Sequence, residues 1–156
     1  MMPKYQKVLV TTDLSPLGNA AVPHAYAILA GRGGTVILWH AIDPSGEPSS
    51  VYAQRMPGKL LAEQRAGLRD SLFSSLEALV PEEARAEGLV TTEVRVVEAP
   101  GVIQETICQE ARTLEADLIV MASHGHSGVK HLLLGSVAES VLKSADRPVL
   151  VVLSRE

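Results

Sequence analysis

The chain has 156 residues, of which 46% are hydrophobic and 21% are charged, a balance that excludes a disordered or fibrous protein. Aromatic residues make up only 3% and the net charge is −4, so we expect no nucleic-acid partner, which would need stacking aromatic side chains or a basic face. No apolar run reaches the roughly 20 residues of a membrane-spanning helix, so no membrane partner is expected either.

Cysteine content and the start of the chain bear on the compartment. Cys108 is the single cysteine, so an internal disulfide is excluded, and its place in an apolar-periodic helix predicts a small core residue. Met1–Lys4 lead directly into a strand-like segment without the pattern of a signal peptide. We therefore expect a cytoplasmic protein.

The first part of the chain alternates strands and helices. The β-branched run Lys7–Thr12 predicts a buried strand, and Ala20–Ala30 predicts a helix that Pro23 kinks or delays. After the glycine-rich stop "GRGG", Thr35–Ile42 predicts a second strand. Asp43–Gly58, rich in proline and glycine, predicts a long loop that is mobile without ligand and closes as a lid.

The same alternation continues to the end of the chain. The predicted elements are a helix over Leu61–Val80, a strand over Thr91–Glu98, a helix over Ile103–Leu114, a strand over Ala116–Ala122, a helix over Leu134–Leu142 and a strand over Arg147–Leu153. Alternating strands and helices indicate a mostly parallel sheet, and near-continuous apolar strands indicate that helices cover both faces. The pattern predicts one α/β domain over residues 1–156, a three-layer sandwich with a five-stranded Rossmann-like sheet whose alternating third strand lies at an edge.

Three polar or glycine-rich segments follow strand ends, namely "TTDLS", "HAIDP" and "ASHGHSG". Ligands of open parallel sheets bind beyond the carboxyl ends of the strands, where the strand order reverses. If the first and fourth strands are neighbours there, Asp13 and the loop at Gly125 face one crevice. A carboxylate suits a ribose hydroxyl or an exocyclic amine, whereas the helix start at Gly135–Ser136 favours an anion. Together these features predict a mononucleotide site.

Better-known signatures of nucleotide binding and catalysis are absent. The chain has no P-loop, and "GRGG" precedes a strand instead of following one. "GHSG" is not a nucleophile elbow, because Val129 stands where the last glycine belongs, so Ser127 is not expected to be a nucleophile. No catalytic residue is predicted.

Two segments carry a resemblance to a known family, "VLVTTDLS" near the start and "DLIVMASHGHSGVKHLLLGSVAESVLKSADRPVLVV" at the end. The chain resembles the universal stress protein family over essentially its whole length. The ATP-binding branch of that family carries G-x2-G-x9-G-[ST], in which Gly125 takes the second glycine and Gly135–Ser136 the final pair. Ala122 replaces the first glycine, a position that lies against the ribose in the family, and we expect its methyl group to be tolerated.

The resemblance implies a sheet order of 3-2-1-4-5 and ATP as the ligand. It implies that Asp13 holds the adenosine portion, that Ala41 offers backbone groups to the adenine edge and that Met121 packs on the base. Thr11 and Thr12 would shape the wall of the site. The phosphates would be bound by the N–H groups of Gly125, Gly135, Ser136 and Val137. Mg²⁺ or Mn²⁺ usually accompanies a bound triphosphate, but the sequence shows no cluster of acidic ligands and no metal site is predicted.

Several of these residues have a simpler structural interpretation that stays open. Asp13 could only cap the turn "DLSP", Met121 could be ordinary core, and Gly135 could simply begin a helix. The loop histidines, of which His124 is one, are interpreted as exposed or turn-stabilising residues rather than metal ligands.

Three functions remain open at this stage. The favoured one is a cytoplasmic stress-response or regulatory protein that binds an adenine nucleotide and acts through its binding state. The others are a slow ATP hydrolase, against which the absence of an evident general base counts, and a protein-interaction module that has lost nucleotide binding through Ala122. The apolar run "PVLVVL" at a sheet edge further predicts a homodimer through antiparallel contact of the fifth strands, as the resemblance also implies.

Overall fold

Five parallel strands form one sheet in the computed structural model, which describes residues 1–42, 62–124 and 134–153. The strands are β1 (Lys7–Thr11), β2 (Gly34–Ile42), β3 (Val90–Glu98), β4 (Leu118–Ala122) and β5 (Val149–Val152). Their order across the sheet is β3-β2-β1-β4-β5. The predicted α/β class, the strand order and the edge position of the third strand are thereby confirmed.

Six helices lie among the described residues. They are α1 (Pro16–Asn19), α2 (Val22–Leu29), α3 (Ala62–Glu77), α4 (Glu82–Glu87), α5 (Ile103–Thr113) and α6 (Ser136–Ser144). Within this part of the chain, no helix combines the length and the apolar character needed to cross a membrane. The loop predicted over Asp43–Gly58, with its expected role as a lid, lies outside the described residues.

A short helix that the sequence pattern did not predict, α1, precedes the helix predicted over Ala20–Ala30, which corresponds to α2. Ser15 caps the short helix α1 by accepting a hydrogen bond from the Gly18 N–H. Pro23 then lies in the first turn of α2, where its missing N–H costs no intrahelical hydrogen bond. Pro23 therefore delays the start of α2, one of the two effects expected from the sequence.

The predicted helix over Leu61–Val80 is shorter than expected, and a further helix follows it. The chain leaves α3 at Glu77, Pro81 takes the extended N-cap position of α4, and Gly88 ends α4 with a φ of 70°. Because α4 contains no buried residue, it has no apolar periodicity from which a sequence pattern could have predicted it.

Successive residues of the strands pack into two separate core clusters, one on each face of the sheet. Val8 and Val10 of β1 pack with residues of α2 and α3, whereas Leu9 between them packs with residues of α5 and α6. This alternation confirms the predicted three-layer arrangement. Cys108 is buried in the second cluster, as expected of a core residue, and its burial raises the pKa of the thiol.

The first prediction concerns the packing of the central strand β1. Leu9 is 0% exposed, so Leu9→Ala should lower the free energy of unfolding by about 2–5 kcal/mol through lost burial and a residual cavity. Urea denaturation measures the loss. The same substitution at Leu89, which is 52% exposed, is the matched control and should cost less than about 1 kcal/mol. Equal losses at the two positions would contradict the described core.

Candidate functional site

A pocket with a volume of about 160 Å³ lies where the carboxyl ends of β1, β2 and β4 meet. In this strand order, β1 leads into α2 on one face of the sheet and β4 leads towards α6 on the other. The order therefore reverses between β1 and β4, and the diverging connections leave a crevice there. The location agrees with the one expected from the sequence.

Most of the predicted binding residues line this pocket. They are Thr11, Thr12, Asp13, Ala41, Met121, Ala122 and Val137. Gly135 and Ser136 lie at the start of α6 immediately before Val137 and are not among the lining residues. Gly125 lies outside the described residues.

Asp13 is held by the turn that follows β1. Its Oδ1 accepts hydrogen bonds from the Ser15 N–H at 2.9 Å and the Ser15 hydroxyl at 2.5 Å. A Cβ atom on Gly18 would lie 2.2 Å from the same Oδ1, so only glycine leaves room for the carboxylate. Leu14 adopts a positive φ of 65° in this turn. Asp13 therefore stabilises its turn and lines the pocket, and the two interpretations of this residue are compatible.

Thr12 joins the ends of β1 and β2 through its backbone. Its N–H donates to the Trp39 carbonyl at 3.0 Å, and its own carbonyl lies 2.8 Å from His40 Nδ1. Since a carbonyl can only accept, Nδ1 is the nitrogen of His40 that carries the proton in this contact. The Thr12 hydroxyl donates to Asn19 and accepts from the Leu14 N–H. Its polar atoms are thus used in building the wall.

The pocket also has lining residues that were not among the predicted binding residues, namely Gly18, Trp39, His40, Ile103, Ile107 and His124. Of these, His40 and His124 lie within the segments "HAIDP" and "ASHGHSG" that the sequence had singled out. Trp39 and His40 directly precede Ala41 in β2, so their position in the strand was the available signal. Ile103 and Ile107 come from α5, on which no binding motif falls. Met121 is 4% exposed and belongs to the core while lining the pocket, so its place in the core does not exclude a contact with a ligand.

A neighbouring carbonyl group leaves no room for a side chain at the position of Gly135. Its N–H donates to the Ser123 carbonyl at 2.6 Å, and a Cβ atom at this position would lie 2.8 Å from that oxygen. Its φ of −68° and ψ of 161° are open to any residue, so the backbone conformation does not require glycine. Glycine is required instead by the close approach of the start of α6 to the Ser123 carbonyl, which directly follows β4. The phosphate contact expected of the Gly135 N–H would compete with this hydrogen bond.

The start of α6 nevertheless remains suited to an anion. As N-cap, Gly135 has no side chain with which to cap the first-turn N–H groups, which include those of Ser136 and Val137. The aligned peptide dipoles add positive potential at this end of a helix. Val137 brings this first turn to the pocket wall.

Metal ligands are scarce in the part of the chain that the structure describes. There, no group of three or more His, Cys, Asp or Glu side chains is placed to hold a metal ion. His124 lies at the pocket, with its Nδ1 3.0 Å from the Ser123 hydroxyl. This contact agrees with the turn-stabilising role expected of the histidine.

A parallel sheet with a crevice at the reversal of its strand order defines a Rossmann-like α/β protein. The profile of the universal stress protein family matches residues 4–152, and the chain belongs to this family. The universal stress protein MJ0577 of Methanocaldococcus jannaschii is 30% identical over 153 residues, which cover 95% of this chain and 94% of that protein.

Solved structures agree with this assignment. The structure of MJ0577 superposes with a TM-score of 0.75 at 29% identity and covers 97% of this chain and 98% of that one. A universal stress protein in complex with cAMP superposes with a TM-score of 0.66 at 25% identity, covering 98% of this chain and 100% of that one. The universal stress protein of Archaeoglobus fulgidus in complex with dAMP has a TM-score of 0.60, and its 20% identity, over 96% of this chain and 98% of that one, shows the shared fold alone.

The contact at Gly135 makes the second prediction. Gly135→Ala should lower the free energy of unfolding by about 1–3 kcal/mol without any nucleotide, because the new methyl group meets the Ser123 carbonyl. Chemical denaturation of the nucleotide-free protein measures the change. Gly101→Ala is the control, since a Cβ atom there meets nothing within 4 Å, and it should stay within about 0.5 kcal/mol of wild type. An unchanged Gly135→Ala variant would mean that the glycine serves only a ligand.

Proposed function

We propose that the chain is a cytoplasmic stress-response protein, folded as one domain, that binds an adenine nucleotide in the pocket between β1, β2 and β4. It acts through its nucleotide-bound state and not through rapid turnover. The observation that carries the proposal is the convergence of seven of the ten predicted binding residues on one pocket at the reversal of the strand order. The single, buried Cys108 accords with a reducing compartment.

The chemistry of the pocket wall suits a nucleoside. Trp39, Ile107 and Met121 provide an apolar surface for a base, and Asp13 provides a carboxylate for a hydroxyl or amine group. The described pocket, about 160 Å³, is smaller than the roughly 300 Å³ from which small-molecule sites start, so it fits the nucleoside end of the ligand. The phosphates would then lie towards the first turn of α6, where the helix dipole favours negative charge.

The relatives support an adenine nucleotide as the ligand class. The cAMP complex among the similar structures is a universal stress protein with 25% identity to this chain. ATP is our specific proposal, because Gly125, Gly135 and Ser136 follow the ATP-binding signature of the family in all but its first glycine. Mg²⁺ or Mn²⁺ would be held mainly by the phosphates, since the described residues offer no cluster of ligands.

One observation favours a second function, a protein-interaction module without nucleotide. Ala122 lines the pocket where the signature has glycine, so its methyl group occupies space next to the expected ribose. This alternative predicts the same fold and an empty pocket. The two functions differ in a single measurable property, the affinity for nucleotide.

Filling the pocket is the third prediction. Ala41→Leu should weaken ATP binding at least about tenfold, because the larger side chain takes the volume that the base needs. Isothermal titration calorimetry with ATP and MgCl2, and separately with AMP, measures the affinity. The same substitution at the exposed Ala86 of α4 is the matched control and should bind like wild type.

The substitution Ala122→Gly separates the two functions in the same titrations. If wild type binds ATP, the variant should bind equally well or more tightly. If wild type binds no nucleotide and Ala122→Gly does, this chain is an interaction module. If Ala41→Leu binds as well as wild type, the nucleotide lies elsewhere. Far-UV circular dichroism checks that each variant is folded.

Assembly is the subject of the fourth prediction, since we also propose a homodimer through β5. This strand lies at the sheet edge, and Leu150 is 38% exposed on it. Leu150→Glu should convert the dimer to a monomer, because a buried interface would then contain unpaired charges of like sign. Light scattering at micromolar concentration measures the mass, with Leu89→Glu as the exposed control. A monomeric wild type would refute the dimer.

A further inference from the structure

Glu110 of α5 connects three elements that meet beside the pocket. Its Oε2 accepts a hydrogen bond from the indole Nε1 of Trp39 at 3.3 Å and another from Arg95 Nε at 2.8 Å. Its Oε1 accepts from Arg95 Nη2 at 3.3 Å, so the guanidinium group binds both carboxylate oxygens. Trp39 belongs to β2, Arg95 belongs to β3, and the two residues are paired in the register of the sheet.

The indole group requires such a partner. Trp39 is 1% exposed, and its N–H can only donate, so burial without an acceptor would be costly. The Glu110 side chain is itself only 15% exposed, and Arg95 neutralises its charge. A simple surface ion pair contributes little to stability, but this carboxylate also satisfies a buried donor.

The helix that carries Glu110 also forms part of the pocket wall. Ile103 and Ile107 line the pocket and precede Glu110 by seven and three residues, which places all three on one face of α5. Trp39 lines the pocket from the sheet and packs in the same core cluster as Ile107. The contact between Glu110 and Trp39 therefore joins the helix and the strand that form two walls of the pocket.

We infer that Glu110 is a positioning residue of the pocket, which acts on the ligand through Trp39 and through the placement of α5. It does not line the pocket among the described residues. The effect on affinity depends on the nucleotide function proposed above, whereas the effect on Trp39 does not. A change at Glu110 should thus alter the surroundings of the indole group whether or not nucleotide is present.

Trp39 is the single tryptophan of the chain, so its fluorescence reports on this contact without interference from another indole. Glu110→Leu should shift its emission maximum, increase its quenching by acrylamide and weaken ATP binding about tenfold in the folded protein. Glu110→Gln keeps an acceptor for the indole N–H and should retain an emission spectrum close to that of wild type. Glu105→Leu, the same change at an exposed position of α5, should leave both the fluorescence and the affinity unchanged.

The inference is wrong if folded Glu110→Leu has wild-type fluorescence and affinity, or if Glu105→Leu has equally large effects. If wild type binds neither ATP nor AMP, the proposed function fails, and the emission and quenching of Trp39 alone decide the role of Glu110. If Glu110→Leu does not fold, Glu110→Asp replaces it, because the shorter side chain cannot span both Trp39 and Arg95. A wild-type spectrum of Glu110→Asp would then overturn the inference.

Discussion

The pairing of β1 with both β2 and β4 is the constraint on which the rest of this structure depends. The ladder joins Val8 to Val36 on one side and to Leu118 on the other. A shift of one residue in either ladder would exchange the two faces of the strand, and the 0% exposure of Val8 and Leu9 shows that both faces are buried. The fixed register brings three strand ends together, and the pocket exists because they meet.

The polar groups at these ends are held by the protein itself. Asp13 is oriented by Ser15 and given room by Gly18, and the Ser123 carbonyl binds the Gly135 N–H. These contacts place a carboxylate and a helix start at one crevice. They also use part of the hydrogen-bonding capacity of the Asp13 carboxylate and of the Gly135 N–H within the protein. Such preorganisation lowers the entropy that a ligand must remove on binding. If the pocket binds the proposed nucleotide, a substitution at these residues should therefore change stability together with affinity.

The amino-acid pattern predicted the sheet because burial leaves a local record. The runs in β2 and β4 are apolar on both faces, and the amphipathic α5 repeats Ile103 and Ile107 at helical spacing. The same reasoning missed α4, which contains no buried residue and so shows no apolar pattern. It also missed α1, since the cap formed by Ser15 is a hydrogen bond and not a hydrophobic pattern.

Sequence by itself determined the class of fold, the strand ends that carry polar residues and much of the pocket lining, including Asp13 and Ala41, because each of these follows or ends a recognisable strand. Only the tertiary structure decided why Gly135 has no side chain, since the Ser123 carbonyl that requires this comes from the segment that follows β4. It also decided that Glu110 meets Trp39, a residue 71 positions away. Periodicity records whether a residue is buried, whereas the partner it meets is set by the packing of whole helices against the sheet.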